Sequence, residues 1–436
     1  MKARDFLEID YLLLLAAIVL SIIGILFIYS SGISSTGEQI SSEYVRQIIW
    51  AAAGLVIALV LAMLDYKKLY ELSLYLYLAT LALLVYTYFF GRVVNGSRSW
   101  LGIGVVGIQP AEFAKITTIF FLARYLDMSR RGRNGFLRFF WSCVIVFTPM
   151  GLIFIQPDFG TSLVFIPILI TMTFVAGVAI RYVVFLCAAI FLTGFLTVLP
   201  HWQTYIMRDV LPPLTILSNI RFIGALILAL AVIGAISLFG YLMYRKRYFY
   251  WFVYGTVVGI LSLGASFMAQ KFMKDYQIKR LIVFLNPDVD PRGAGWNIIQ
   301  SITAIGSGGL WGKGYLQGTQ SHYRFLPEQS TDFIFSIFSE EWGFLGGILV
   351  FTLFLLICFR MIRIMKNTPD LFGSFIISGI IGMYMFHFLT NVGMTMGIMP
   401  ITGIPLLFMS YGGSALTIAM SGIGIALSIY IRRYDH

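Results

Sequence analysis

Apolar residues run in blocks of about twenty along most of the chain, and the charges collect in the stretches between them. A helix rises about 1.5 Å per residue, so each block is long enough to cross a hydrocarbon layer about 30 Å thick. The blocks predict spans at about 8–30, 44–64, 69–90, 110–126, 138–156, 160–179, 182–199, 222–244, 249–271, 331–359, 372–396 and 405–431. Backbone groups inside a bilayer must be satisfied within the protein, which helices achieve segment by segment. The expected fold is therefore all-α, a polytopic membrane helical bundle of about twelve transmembrane helices forming one domain over residues 1–436.

Composition sharpens this. Apolar residues make up 59% and charged residues 12%, a balance that excludes a soluble globular chain. Cys143, Cys187 and Cys358 lie inside apolar blocks without Cys-x-x-Cys or Cys/His spacing, so neither a disulfide framework nor a zinc site is expected. The first block follows "MKARDFLEID" like a signal peptide, but its length and the spans after it predict a retained first helix.

The net charge of +11 is placed as much as it is large. Alternate connections carry Lys67 and Lys68, then Arg124, Arg130, Arg131, Arg133 and Arg138, then Arg181, then Arg245, Lys246 and Arg247, then Arg360, Arg363 and Lys366, with Arg432 and Arg433 last. Cytoplasmic loops are rich in Lys and Arg, so both termini are predicted cytoplasmic. The loops at about 91–109, 157–159, 200–221, 272–330 and 397–404 then face outward. Inward loops beside anionic lipid account for most of the excess, and nothing resembles a nucleic-acid module.

The long outward connection at 272–330 is basic where outward loops should not be, with Lys274, Lys279, Arg280, Arg292, Lys313 and Arg324. That reversal points to an anionic ligand; the plainer reading is that a long loop escapes the charge rule and meets lipid headgroups. Its "FLNPDVDPRGAGWN" (284–297) holds Asp288 and Asp290. Such carboxylates can serve turns alone, or one of them can be a general base among cations. "IGSGGLWGKG" (305–314) fails the P-loop template, since Ser307 takes the first glycine position and Gly314 follows Lys313 where Ser or Thr belongs. Its glycines are read as turn-formers, with Lys313 and nearby N–H groups a weaker candidate for another phosphate.

Elsewhere, "GIQPAEFAKI" (107–116) sets Glu112 and Lys115 three residues apart on one helix face, as a structural ion pair or as the wall of a polar cavity. Asp158 in "QPDFG" is a helix cap or a ligand contact, and "NGSRSW" (95–100) supplies Arg98 and Trp100, the latter an interface anchor or a functional residue. Thr331 or Asp332 caps the following span. His201, His322, His387 and His436 show no ligand spacing.

The segments "NGSRSWLGIGVVGIQPAEFAK", "QPDFGTS", "NPDVDPRGAGWNIIQSITAIGSGGLWGKG", "LPEQSTDFIF" and "NVGMTMGIMPITGIPLLFMSYGGSA" resemble, in order, hallmark stretches of the SEDS (shape, elongation, division and sporulation) family. The most specific is the last, with Asn391, Gly397, Pro400, Gly403 and Ser410-Tyr411-Gly412-Gly413 at fixed spacing, and "GTQS" (318–321) is similar to the RodA rather than the FtsW branch. The resemblance implies a peptidoglycan glycosyltransferase that polymerises lipid II outside the cytoplasmic membrane beside a class B penicillin-binding protein. It puts the family's essential aspartate on Asp290, cavity residues on Glu112 and Lys115, and the loop tryptophan on Trp100. It also implies about ten spans where two more are counted at 182–272, and Leu407 and Trp296 stand where proline and tyrosine are common.

The mechanism expected from both lines has Asp290 take the proton of the acceptor's 4-hydroxyl. Lys115, Arg98 and Lys313 are candidates to stabilise the departing diphosphate, and a divalent cation (magnesium or manganese) could share that work. The competing readings are a flippase for the same lipid and a non-enzymatic scaffold for the transpeptidase. The absence of an inverted repeat and the outward position of the best acid weigh against the first.

Overall fold

A computed structural model describes residues 9–94, 97–103, 106–130, 134–202, 219–273, 275–291 and 293–434. Arg131, Arg133, Lys274 and Arg292, and most of the expected 200–221 loop, fall outside the described residues. The chain divides into two compact units, one of Met1–Val178 with Ile299–His436 and one of Ala179–Ile298.

The first unit begins with α1 (Tyr11–Ser31), α2 (Glu43–Met63) and α3 (Lys68–Phe90). Asp10 caps α1, accepting from Leu13 N at 3.2 Å, and the same carboxylate receives Arg360 Nη2 at 2.7 Å. Three short strands follow, β1 (Arg92–Val94), β2 (Ser97–Ile103) and β3 (Val106–Ile108), an antiparallel meander in the order β1-β2-β3. This meander is a small addition to the all-α bundle, with β1 and β2 paired antiparallel from Val94 opposite Ser97. Then come α4 (Pro110–Met128), α5 (Gly135–Ile155), α6 (Phe159–Leu163) and α7 (Phe165–Val175). Pro110 at the first turn of α4 has no N–H to leave orphaned.

The second unit holds α8 (Ile180–Trp202), α9 (Ile220–Tyr244), α10 (Arg247–Phe272) and α11 (Asp275–Leu285). Thr197 Oγ1 donates to Ser266 Oγ at 3.2 Å between α8 and α10, and Tyr254 OH to Arg181 O at 3.0 Å. A 3-10 turn at Pro287–Val289 precedes α12 (Ala294–Gly308). The chain continues through α13 (Thr319–His322), α14 (Ile334–Asn367), α15 (Leu371–Thr395) and α16 (Gly413–Ile431). The 272–330 connection is thus largely helical, and α11 buries Ile278 and Ile282, one turn apart, while Lys279 is exposed.

All twelve expected segments contain helix, and among the described residues 10 helices are long and apolar enough to cross a membrane. The protein is a multi-pass membrane protein built as a helical bundle. The count of twelve falls to ten by this measure for physical reasons. α4 carries Glu112, Lys115, Arg124 and Asp127, and the 160–179 segment is broken into α6 and α7. Two boundaries also move. α14 merges two helices across Gly343, whose φ of 64° favours glycine, and residues 405–412 are non-helical, so the last span starts at Gly413. Within the first unit α15 and α16 are central: 78% of each apolar stretch is buried, against 22% for α2. Gly424 lets α16 approach α2 so closely that a Cβ there would lie 2.4 Å from Ala58 O.

Candidate functional site

Asp290 closes the 3-10 turn of the second unit. Its Oδ2 accepts Ala294 N at 3.1 Å, satisfying one of the unpaired donors at the start of α12, where anionic side chains are favoured. Its carbonyl accepts Gly293 N at 3.2 Å and Gly295 N at 3.1 Å. The carboxylate is half-buried, and Oδ1 accepts no hydrogen bond among the described residues. Among the described residues the turn engages one of the two carboxylate oxygens. Asp288 differs: it is exposed, and the local turn is made by Asn286, whose Oδ1 accepts Asp288 N at 3.0 Å.

Gly293 leaves the space that carboxylate needs, since a Cβ there would lie 2.3 Å from Asp290 Oδ2. Gly293→Ala is expected to displace the carboxylate and, on the reading of Asp290 as a general base, to cut activity by roughly 10- to 100-fold. Steady-state turnover of the purified variant checks this.

In the first unit the N-terminal end of α4 gathers a buried polar cluster. Lys115 Nζ donates to Glu112 Oε1 at 2.7 Å, the i,i+3 pair the sequence placed on one face, with 1% and 4% of the side chains exposed. Lys115 Nζ also meets His387 Nε2 at 3.1 Å, from α15, and His387 Nδ1 meets Pro405 O at 3.0 Å. Glu112 Oε2 is buried with no partner among the described residues. Asp158 caps α6: Oδ1 accepts Thr161 N at 3.2 Å and Oδ2 accepts Gln109 Nε2 at 2.6 Å. Burial pushes the Asp158 carboxyl above its ordinary range, and the Glu112 charge acts the same way against the bonds from Thr161 and Gln109. Both Asp158 oxygens are occupied, which favours the capping role. Gln109 N donates to Ser414 Oγ at 3.1 Å, tying α4 to α16.

Arg98 and Trp100 both lie on β2, where the pairing with β1 shifts register between them, Arg98 opposite Val93 and Trp100 opposite Arg92. Trp100 is half-buried with its ring over Gly107, where a Cβ would lie 3.0 Å from the ring; Arg98 is exposed opposite Val93. Ser97 Oγ donates to Gln156 O at 2.9 Å and fixes the strand beside the turn that carries Asp158.

Lys313 has a partner within the protein. Its Nζ donates to Glu340 Oε1 at 2.7 Å and to Thr319 Oγ1 at 2.7 Å. Glu340 is fully buried and its Oε1 also accepts Thr319 N at 2.8 Å and Gln320 N at 3.0 Å. A buried carboxylate needs a countercharge, and Lys313, with 27% of its side chain exposed, supplies it to Glu340. Glu341 accepts Leu316 N at 3.1 Å and Ser30 Oγ, so the two carboxylates pin the 313–320 segment.

Glu340, Glu341 and His387 are the residues that sequence reasoning missed. Two adjacent acids inside an apolar run were a usable signal; His387 has no local signature, because both its partners are distant in sequence. Asn391 is architectural, donating to Ile404 O at 2.8 Å and Asp332 O at 2.9 Å. Among the described residues no three His, Cys, Asp or Glu side chains form a group that could hold a metal ion.

Comparison with known proteins adds the following. The FtsW/RodA/SpoVE family model, described as cell cycle protein, matches residues 10–214 and 208–435. Treponema pallidum peptidoglycan glycosyltransferase RodA is 48% identical over 435 residues, 99% of this chain and 100% of that protein. Escherichia coli K12 peptidoglycan glycosyltransferase MrdB is 32% identical over 433 residues, 98% of this chain and 95% of that protein. A solved chain from "Structural coordination of polymerization and crosslinking by a peptidoglycan synthase complex" matches with a TM-score of 0.67 at 24% identity, covering 98% of this chain and 99% of that chain. That last likeness concerns fold alone.

Proposed function

Because the chain belongs to the FtsW/RodA/SpoVE family of cell cycle proteins, we infer that it is a RodA-like peptidoglycan glycosyltransferase that polymerises lipid II into glycan strands for cell elongation and rod shape. The observation that carries this is 48% identity along the full length of a protein named for that activity.

In the proposed reaction the acceptor sugar's 4-hydroxyl gives its proton to Asp290 Oδ1. The hydroxyl oxygen bonds to the donor's anomeric carbon with inversion, through an oxocarbenium-like transition state. The bond from that carbon to the diphosphate oxygen breaks, and the lipid diphosphate leaves with the electron pair. The Asp290 oxygen that accepts no hydrogen bond among the described residues supports the base assignment. Lys115 and exposed Arg98 are proposed to meet substrate oxygens, with Glu112 holding the Lys115 ammonium and Trp100 offering an apolar face. Asp158 is proposed to order the Gln109 end of the cavity, and Lys313 the loop above α14. The described residues do not fit a resident metal group, so any magnesium or manganese is proposed to arrive with the substrate diphosphate, and no step is routed through it.

We place the protein in the bacterial cytoplasmic membrane, both termini inside, with a class B penicillin-binding protein as partner. In a background without Cys143, Cys187 and Cys358, a cysteine at Ser307 is expected to label from outside and one at Arg131 from inside. Labelling of both from one side contradicts the orientation.

The function itself is tested with purified protein in micelles and lipid II, alone and with the transpeptidase. Long glycan strands are expected. No polymer in either arm, with labelled lipid moving between vesicle leaflets, would instead make the protein a flippase.

A further inference from the structure

We propose that His387 is a positioning residue for Lys115, fixing the direction in which its ammonium presents its last free N–H to substrate. This rests on the reading of Lys115 as a substrate-cavity residue. Pro405 O, 3.0 Å from His387 Nδ1, can only accept, so Nδ1 carries the hydrogen. Nε2 is then a lone pair, and at 3.1 Å it accepts from Lys115 Nζ.

Lys115 has three N–H donors. One goes to Glu112 Oε1 at 2.7 Å and one to His387 Nε2, and tetrahedral geometry fixes the third. A swivelling ammonium becomes a single aimed donor, suited to an oxygen of the lipid-linked substrate. His387 is as buried as Lys115, and with Nδ1 on Pro405 O and Nε2 on Lys115 Nζ its ring has no further polar atom to offer substrate. Its aim is set in turn by the chain at Pro405, whose neighbour Ile404 O accepts Asn391 Nδ2 at 2.8 Å. The Asn391 and 401–410 hallmarks, otherwise only architectural, thereby extend to the cavity lysine.

Two substitutions separate positioning from packing. In His387→Gln the side-chain amide reaches the Nε2 position, keeping an acceptor for Lys115 and losing the Pro405 bond. In His387→Asn it reaches only the Nδ1 position, keeping Pro405 and losing Lys115. Each forfeits one buried hydrogen bond, and thermal unfolding of the two variants gives the folding cost of each separately. Polymerisation kinetics per folded protein, with lipid II as probe, should show KM raised about tenfold more by Asn than by Gln, with kcat changed less. Equal effects, or the larger one from Gln, overturn the proposal.

Lys115→Met in the same assay separates the two readings. It should raise KM itself, and His387→Asn should then add nothing further. Unchanged kinetics in Lys115→Met overturn the cavity reading and the positioning with it. An impaired Lys115→Met on which His387→Asn adds its full effect overturns the positioning alone.

Discussion

Lys115→Met is expected to lose about 3–5 kcal/mol of stability, together with tenfold or more of its glycan yield at lipid II concentrations below KM. Lys115 and Glu112 are almost wholly buried, and the Asp158 carboxylate adds a second acid beside them. Removing the cation strands Glu112 where water cannot solvate it, and an uncompensated buried charge is the costly outcome, more than a lost pair. Adding Glu112→Gln to Lys115→Met should therefore recover much of the stability, because no net charge remains at that position. It should not recover the activity, because the aimed donor is still missing. Thermal unfolding and polymer yield measured together check both halves. Activity that returned with stability would make the pair scaffolding only.

Asp290→Asn is expected to fold, insert and bind its partner while polymerisation falls by roughly 10²-fold or more, the usual loss with a general base. The amide oxygen of Asn can still accept Ala294 N and hold the start of α12, so the turn survives and only the proton acceptor is removed. Asp288→Asn should be milder, since that side chain is exposed and the turn is made by Asn286.

The long helices were legible because a bilayer leaves the sequence little choice: an apolar run of sufficient length must be a helix. What escaped was written in short or distant signals. The pairing of β1 with β2 lay in a stretch already read as an outward loop. The last span was started too early because Pro405, Leu406, Leu407 and Phe408 continue its apolar run, whereas Ser410 Oγ takes Leu406 N at 2.9 Å and Phe408 has a φ of 70°. Apolarity alone does not distinguish a buried irregular segment from a helix.

The candidate site was read in proportion to how local its chemistry is. Glu112 and Lys115 could be paired from spacing, and Asp158 could be read as a cap from its position before α6. Asp290 was singled out by its setting of turns and cations. The ion partner of Lys313 could not be read, because Glu340 lies 27 residues away inside an apolar helix. His387 lies 272 residues from Lys115, and nothing along the chain joins them.

The most direct measurement is the glycan made by the purified wild-type chain beside Asp290→Asn and Asp288→Asn, in lipid II micelles at matched protein amount. The account predicts long strands from wild type, reduced but clear synthesis from Asp288→Asn, and almost none from Asp290→Asn. Near-normal polymer from Asp290→Asn, or none from any of the three with or without the transpeptidase, would contradict it.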